Sequence, residues 1–208
     1  MDFDRLTTRD VPIVPERAAL LVVDVQNFSA RRDGGEFRAL PEAEVEARYG
    51  WFFRHIAAET LPNIARLLAA CRAAGVEVVY TVIESLTRDG RDRSLDYRIT
   101  GFHVPRGSWD ARVLDAVAPA DDEIVLPKTS SNVFMSTNID YLLRNLARRQ
   151  LIVAGLVTDQ CVSSAIRDAC ATYSIERHEA AVAALSGYCR QVATDGLVAE
   201  LGMAPPPP

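Results

Sequence analysis

The sequence predicts an α/β fold, a three-layer α/β/α sandwich on a mainly parallel sheet. Two observations predict it. Four short apolar runs, residues 18–25, 76–83, 123–128 and 151–155, recur along the chain, and the first has the unbroken apolar character of a strand covered on both faces. The stretches between them space their apolar residues as helices do, and strand–helix alternation implies parallel strands joined by right-handed crossovers. In such a sheet, ligands bind at the carboxyl ends of the strands. With 208 residues and 49% hydrophobic content, the chain provides for one core and not two.

Residues 1–17, with Pro12 and Pro15, read as an extended N-terminal arm ahead of a single domain over residues 18–202. The run from Ala18 stops at the carboxylate of Asp24. Residues 29–55 are charged and interrupted by Gly34, Gly35 and Gly50; helical spacing of Leu61, Ile64, Ala65, Leu67, Leu68 and Cys71 then places a helix over 59–74, stopped by Gly75. After the strand at 76–83, residues 84–108 are polar and glycine-punctuated, and 111–117 reads as a short helix. The strand at 123–128 ends on Pro127 and Lys128. A helix over 137–149, capped by Ser136 or Thr137, buries Ile139, Leu142, Leu143 and Leu146. Following the strand at 151–155, a helix opens at Asp159 with Val162, Ala165, Ile166 and Ala169 inward, and a last helix spans about 176–189. Residues 203–208 read as a disordered proline-rich tail.

Composition excludes several function classes. Twenty-three Lys plus Arg against 28 Asp plus Glu give a net charge of −5, with no block of either sign to grip phosphates or lipid headgroups, so neither nucleic acid nor membrane is an expected partner. No apolar run approaches the roughly 18–20 residues of a membrane helix, and the charged first ten residues do not resemble a secretory signal; a cytoplasmic location is expected. Cys71, Cys161, Cys170 and Cys189 are too sparse for a disulfide framework. There is no GxGxxG and no GxxxxGK[ST], and no cofactor is expected.

Three strand ends carry chemistry: Asp24, Lys128 and, in the turn after the fourth run, Cys161. At the first turn of a helix the positive dipole end favours a thiolate, and a nearby lysine lowers the thiol pKa further. Asp24 is suited to hold that lysine, take the thiol proton and later return a proton to a leaving amine. Singly, each residue is as well explained as a small buried side chain, a solvated charge or a cap; together at the ends of one sheet they point to acyl transfer to sulfur.

These residues stand in segments that resemble the isochorismatase-like cysteine hydrolases, the family of nicotinamidases, N-carbamoylsarcosine amidohydrolase and ureidoacrylate or biuret-type amidohydrolases. The likeness rests on Leu21-Val-Val-Asp24-Val-Gln26-Asn27, on Leu126-Pro-Lys128 followed by Ser130-Ser-Asn-Val-Phe134, and on Gly155-Leu-Val-Thr-Asp-Gln-Cys161-Val. It implies a Rossmann-like sandwich, Cys161 as nucleophile, Asp24 as base and Lys128 as the stabilising cation. It also implies a cis peptide between Leu156 and Val157, with the N–H groups of Val157 and Cys161 forming an oxyanion hole, and a homo-oligomer, dimer or tetramer. The metal-binding Asp-x-His pair of nicotinamidases has no counterpart among His55, His103 and His178, so no metal is expected. True isochorismatases cleave a vinyl ether without a cysteine nucleophile, so Cys161 favours hydrolysis of a C–N bond in a small amide or ureido substrate through a thioester. Arg98, Phe102, Pro105, Gly107 and Trp109 resemble a subgroup known only as cysteine hydrolases. The alternatives are ether or ester hydrolysis on the same scaffold, or a binding protein that has lost turnover.

Candidate substrate contacts are Gln26, Asn27, Phe28, Glu84, Phe134 and Thr158. The two phenylalanines would form an apolar wall, Gln26 and Asn27 would donate to a carbonyl or carboxylate, and Glu84 would accept from a urea or amine. Each has a structural alternative: core packing for the rings, turn formation for Asn27, a solvated loop for Glu84, helix capping for Thr158 and Asp159. Tyr80, Cys71 and Cys189 read as packing residues, and Cys170 as a residue three turns along the Cys161 helix. The chain departs from the family after Cys170, where it runs into residues 171–174 and the last helix without another apolar strand; the family's last edge strand is expected to be missing.

Overall fold

A computed structural model describes residues 11–162, 170–171, 183–184 and 190–202. The strands are β1 (Ala18–Val23), β2 (Glu77–Ile83), β3 (Ile124–Lys128), β4 (Gln150–Leu156) and β5 (Cys170–Ala171), in one parallel sheet of order β3-β2-β1-β4-β5. The chain builds outward from β1 to β2 and β3, then crosses to β4, so the order reverses between β1 and β4. That switch point opens a crevice beyond the carboxyl ends of the strands.

Alternation along β1 explains its unbroken apolar sequence. Ala18, Leu20 and Val22 enter one core cluster while Leu21 and Val23 enter the cluster on the opposite face, all fully buried. Each such Leu or Val contributes about 1.5–3 kcal/mol by leaving water. On the first face pack α2 (Glu42–His55) and α3 (Leu61–Ala73), through Val45, Phe52, Phe53, Ile64, Leu67, Leu68 and Cys71, and α7 (Thr194–Gly202), through Leu197 and Leu201. On the second face lie α5 (Val133–Ser136) and α6 (Ile139–Asn145), anchored by Val133 and Ile139.

Several expectations need correction. A one-turn helix, α1 (Asn27–Ala30), follows β1, and helical structure resumes at Glu42 and not near residue 59: Val45, Phe52 and Phe53 bury enough surface to offset the cost of Gly50 within α2. A π-helical turn, Ile56–Thr60, joins α2 to α3, just before Pro62, whose missing N–H and bulky ring disfavour a regular α-turn. Gly75 does end α3, at φ +74°, with Val76 N–H bonded back to Cys71 O (2.9 Å). The helix expected at 111–117 is two 3-10 turns, Trp109–Ala111 and Asp115–Val117. The helix expected over 137–149 is the shorter α6, at whose start Thr137 Oγ1, and not Ser136, accepts from Ile139 N–H (3.2 Å), and Asn132 caps α5 by accepting from Phe134 and Met135 N–H. The polar segment after β2 holds a six-residue helix, α4 (Leu95–Thr100), and α7 was not foreseen either.

Cys170 is not on a helix but in β5, paired with Gly155 while Ala171 pairs with Leu156. Among the described residues this edge pairs over two positions. Residues 163–169 of the helix after Cys161, most of the helix expected over 176–189, Cys189, His178, the first ten residues of the arm and the tail lie outside the described residues. The described end of the arm is tied down: Val14 N–H donates to the Gln150 side chain (2.8 Å) and Ile13 N–H to Glu200 (2.7 Å).

Candidate active site

The backbone leaves β1 at Asp24 with φ +52°, a conformation that Asp tolerates better than most residues. That turn holds the carboxylate under the strand ends, 1% exposed, with Oδ1 accepting from Thr81 Oγ1 on β2 (2.9 Å). Lys128 closes β3 and is fully buried. Its Nζ donates to Tyr97 Oη (2.8 Å), to Ser130 O (3.1 Å) and to Cys161 Sγ (3.3 Å), which uses all three N–H groups of an ammonium. Asp24 Oδ2 also lies 2.8 Å from Nζ, an ion pair that is not aligned as a hydrogen bond. The three chemistry-bearing residues expected from the sequence thus meet at one point, from three strand ends.

The electrostatics differ from the expectation. Burial alone would discharge Lys128, but Asp24, with smaller contributions from Cys161 and Tyr97, outweighs it and raises its pKa well above the ordinary 10.5. The cation is permanent. Burial pushes the Cys161 thiol up to about 12; Lys128 opposes this, and the negative charge of Asp24 adds to it. That direction is opposite to the one expected from a helix N-terminus and a neighbouring lysine; Cys161 is buried in a π-helical turn, Thr158–Val162. The Leu156–Val157 peptide is cis. Val157 O accepts from Gln160 N–H (3.1 Å), and Val157 and Cys161 are both buried.

The close approach of β1 and β4 here requires glycine. At Gly155, φ is +138° and an added Cβ would fall 2.1 Å from Val23 O.

The other candidates divide. Gln26 is fully buried, and its carboxamide is occupied by backbone: Nε2 donates to Ile83 O and Asp110 O (3.0 Å each), and Oε1 accepts from Ile83 N–H (2.5 Å). It ties β1 to the end of β2 and has no donor left for a substrate. Asn27 Nδ2 donates to Trp109 O (2.9 Å), and Glu84 accepts from Gly107 N–H (2.6 Å), so both brace loops at the crevice. Phe28 packs edge-on to Phe102 (5.1 Å) in a small cluster with Ile83, Tyr97, Val104 and Ala111. Phe134 is half-buried against the cluster that contains Cys161, and Thr158 is fully buried in its turn.

Sequence reasoning missed Tyr97, Thr81 and Asp110. Tyr97 is the buried residue of α4, whose other apolar residues, Leu95 and Ile99, are exposed, so periodicity gave no inward face to follow. Burial pushes its phenol well above the ordinary range, so it stays neutral beside Lys128. Asp110 accepts from Gly35 N–H (3.1 Å) and Arg38 (2.8 Å), fastening the loop after β1 to the segment before β3. Among the described residues, no three His, Cys, Asp or Glu side chains group as a metal site.

The isochorismatase domain profile matches residues 18–195. The chain belongs to the isochorismatase family. This family member is 31% identical over 182 residues to the ureidoacrylate amidohydrolase RutB of Rhizobium rhizogenes, across 79% of its own length and 70% of the relative's. It is 30% identical over 205 residues to an isochorismatase of Bacillus subtilis, across 92% of its own length and 60% of that protein's. Its fold is that of a cysteine hydrolase from Pseudomonas syringae, with TM-score 0.74 at 22% identity, covering 92% and 95% of the two chains.

Proposed function

We propose that this chain is a cytoplasmic cysteine hydrolase that cleaves a carbon–nitrogen bond of a small amide or ureido compound. The observation that carries the reading is a buried Lys128 Nζ standing 2.8 Å from Asp24 Oδ2 and 3.3 Å from Cys161 Sγ. The kinship with ureidoacrylate amidohydrolase supports the substrate class. Four sparse cysteines suit a reducing compartment.

Attack begins from the thiol. As sulfur bonds to the substrate carbonyl carbon, its proton passes to Asp24 Oδ2, and the fixed positive charge of Lys128 offsets the charge developing on sulfur. The N–H groups of Val157 and Cys161 are the donors we assign to the tetrahedral oxyanion. Collapse breaks the C–N bond, and the leaving nitrogen takes the proton from Asp24, leaving a thioester. Water, deprotonated by Asp24, then attacks the thioester carbon, and the acid departs as Cys161 recovers its proton. Phe28 and Phe134 flank the substrate with apolar surface. A second reading, ether hydrolysis, is favoured by the Bacillus isochorismatase relative.

The test is ammonia release from a panel holding ureidoacrylate, N-carbamoyl amino acids and simple amides, with wild type and Cys161→Ala. Ammonia from at least one compound and a loss of at least about 10³-fold in the variant, which stays folded, are expected. Full turnover by Cys161→Ala excludes covalent catalysis. Cleavage of ethers without ammonia selects the second reading, and no turnover of any compound leaves a binding protein.

A further inference from the structure

We infer that Thr81 is a positioning residue: its hydroxyl, donated to Asp24 Oδ1, sets the plane of the carboxylate, so that Oδ2 meets the Lys128 ammonium beside the Cys161 sulfur. The inference rests on the proposed cysteine mechanism. Thr81 stands on β2 in register between Val23 of β1 and Leu126 of β3, and Val79 precedes it on the same face of the strand. Those three side chains belong to the apolar cluster on the second face of the sheet, and Thr81 is fully buried among the strands that carry them. A hydroxyl in such a row costs stability unless it is bonded, and valine would fill the same space without that cost. Among the described residues the Thr81 hydroxyl has one partner, Asp24 Oδ1 at 2.9 Å. An ionised carboxylate has no proton to give, so the hydroxyl is the donor.

Thr81 holds Asp24 twice. Its backbone carbonyl accepts from Asp24 N–H (3.1 Å) where the chain leaves β1 at φ +52°, and its side chain takes the carboxylate. The torsion that turns a carboxylate about its Cβ–Cγ bond has broad wells, so the side chain by itself does not fix that plane. With Oδ1 fastened to β2, Oδ2 lies 2.8 Å from Lys128 Nζ, which is itself 3.3 Å from Cys161 Sγ. No other hydroxyl or N–H among the described residues donates to Oδ1. Without the Thr81 hydroxyl, Oδ1 becomes a buried anionic oxygen lacking its donor; the carboxylate leaves its present plane, and the acceptor of the thiol proton loses its fixed place.

Thr81→Val keeps the shape of the side chain and removes the hydroxyl. Thr81→Ser keeps the hydroxyl and removes the methyl, and Thr81→Ala removes both, so serine against alanine repeats the hydroxyl deletion if the valine variant does not fold. Two measurements are made on each at a temperature where it is folded: kcat and KM with the fastest substrate of the panel above, and the rate at which iodoacetamide alkylates Cys161, followed by peptide mass. Alkylation needs no substrate: the carbon–sulfur bond forms as iodide leaves, and the thiol proton passes to Asp24. For Thr81→Val, kcat and the alkylation rate are expected to fall together by about tenfold or more, with KM within about twofold of wild type. Thr81→Ser is expected to stay within about threefold of wild type and to exceed Thr81→Ala by about tenfold. Wild-type rates in Thr81→Val, or Thr81→Ser as slow as Thr81→Ala, overturn the inference and leave a packing residue. A raised KM at unchanged kcat also overturns it, making Thr81 a substrate contact. If no compound is turned over, the alkylation rates alone decide. Loss of turnover in Cys161→Ala alongside a wild-type Thr81→Val rejects this inference alone, whereas turnover by Cys161→Ala rejects the cysteine mechanism itself.

Discussion

The two flanks of the sheet support the site unequally. On one side, β1 pairs with β2 over five residues and β2 with β3 over five, and this flank delivers Asp24, Thr81 and Lys128. On the other, β4 pairs with β1 over six residues and, among the described residues, with β5 over two, and the turn beyond β4 delivers Cys161. Asp24 therefore leaves a strand bonded on both sides and Lys128 an edge strand held by β2, while the sulfur is placed by the β1–β4 contact. Catalytic geometry depends on how well one strand seam holds.

The largest effect is expected from breaking the well-paired flank at its charge. Lys128→Ala leaves Asp24 buried without a counter-ion, which costs about 3–5 kcal/mol. A melting temperature lower by about 10 °C, together with abolished turnover, is the expected result of a thermal scan and an ammonia assay. The seam itself is probed next. Gly155→Ala forces a side chain into left-handed backbone and against Val23 O, a loss of about 3 kcal/mol. Its activity is expected to fall further than its stability alone accounts for, measured at a temperature where the variant is fully folded. The smallest effect lies at the rim of the paired flank, where Arg72 on α3 grips Glu123 just before β3 with two hydrogen bonds of 2.8 and 2.7 Å. The Arg72 hydrogen bond holds the Glu123 carboxyl below its ordinary 4.5. Because the folded value is depressed, the stabilisation is present above that ordinary value and is lost as pH falls through the folded one. Glu123→Gln is expected to cost about 1 kcal/mol at pH 7, since solvent reaches Arg72, and the melting difference is expected to shrink below about pH 4.

The same contrast marks what could be read from the sequence. Asp24 and Lys128 were legible because each closes a short apolar run, and Cys161 because it follows another; strand ends in a parallel sheet converge by topology alone. Tyr97 was not, since its partner Lys128 lies 31 residues away and its helix shows solvent most of its apolar surface. Helix α2 was hidden by Gly50 and by charge that faces water. Gln26 looked like a ligand donor because spacing cannot say whether an amide is already paired. The thiol is a related case: the sequence reveals which charges will be neighbours, but not how completely water leaves them, and at Cys161 that burial pushes the pKa up against the pull of Lys128. Cys170 followed helical spacing on paper, yet its backbone pairs with Gly155 in the sheet.

Lys128 has no exposed surface and Asp24 almost none, so dissolved ions do not rest against either. Screening at physiological ionic strength acts over about 8 Å of electrolyte, and it weakens exposed contacts such as Arg48 with Glu44 on α2. The buried charges sit outside that medium. Brine that loosens the protein's outer ion pairs weakens the force on the sulfur far less.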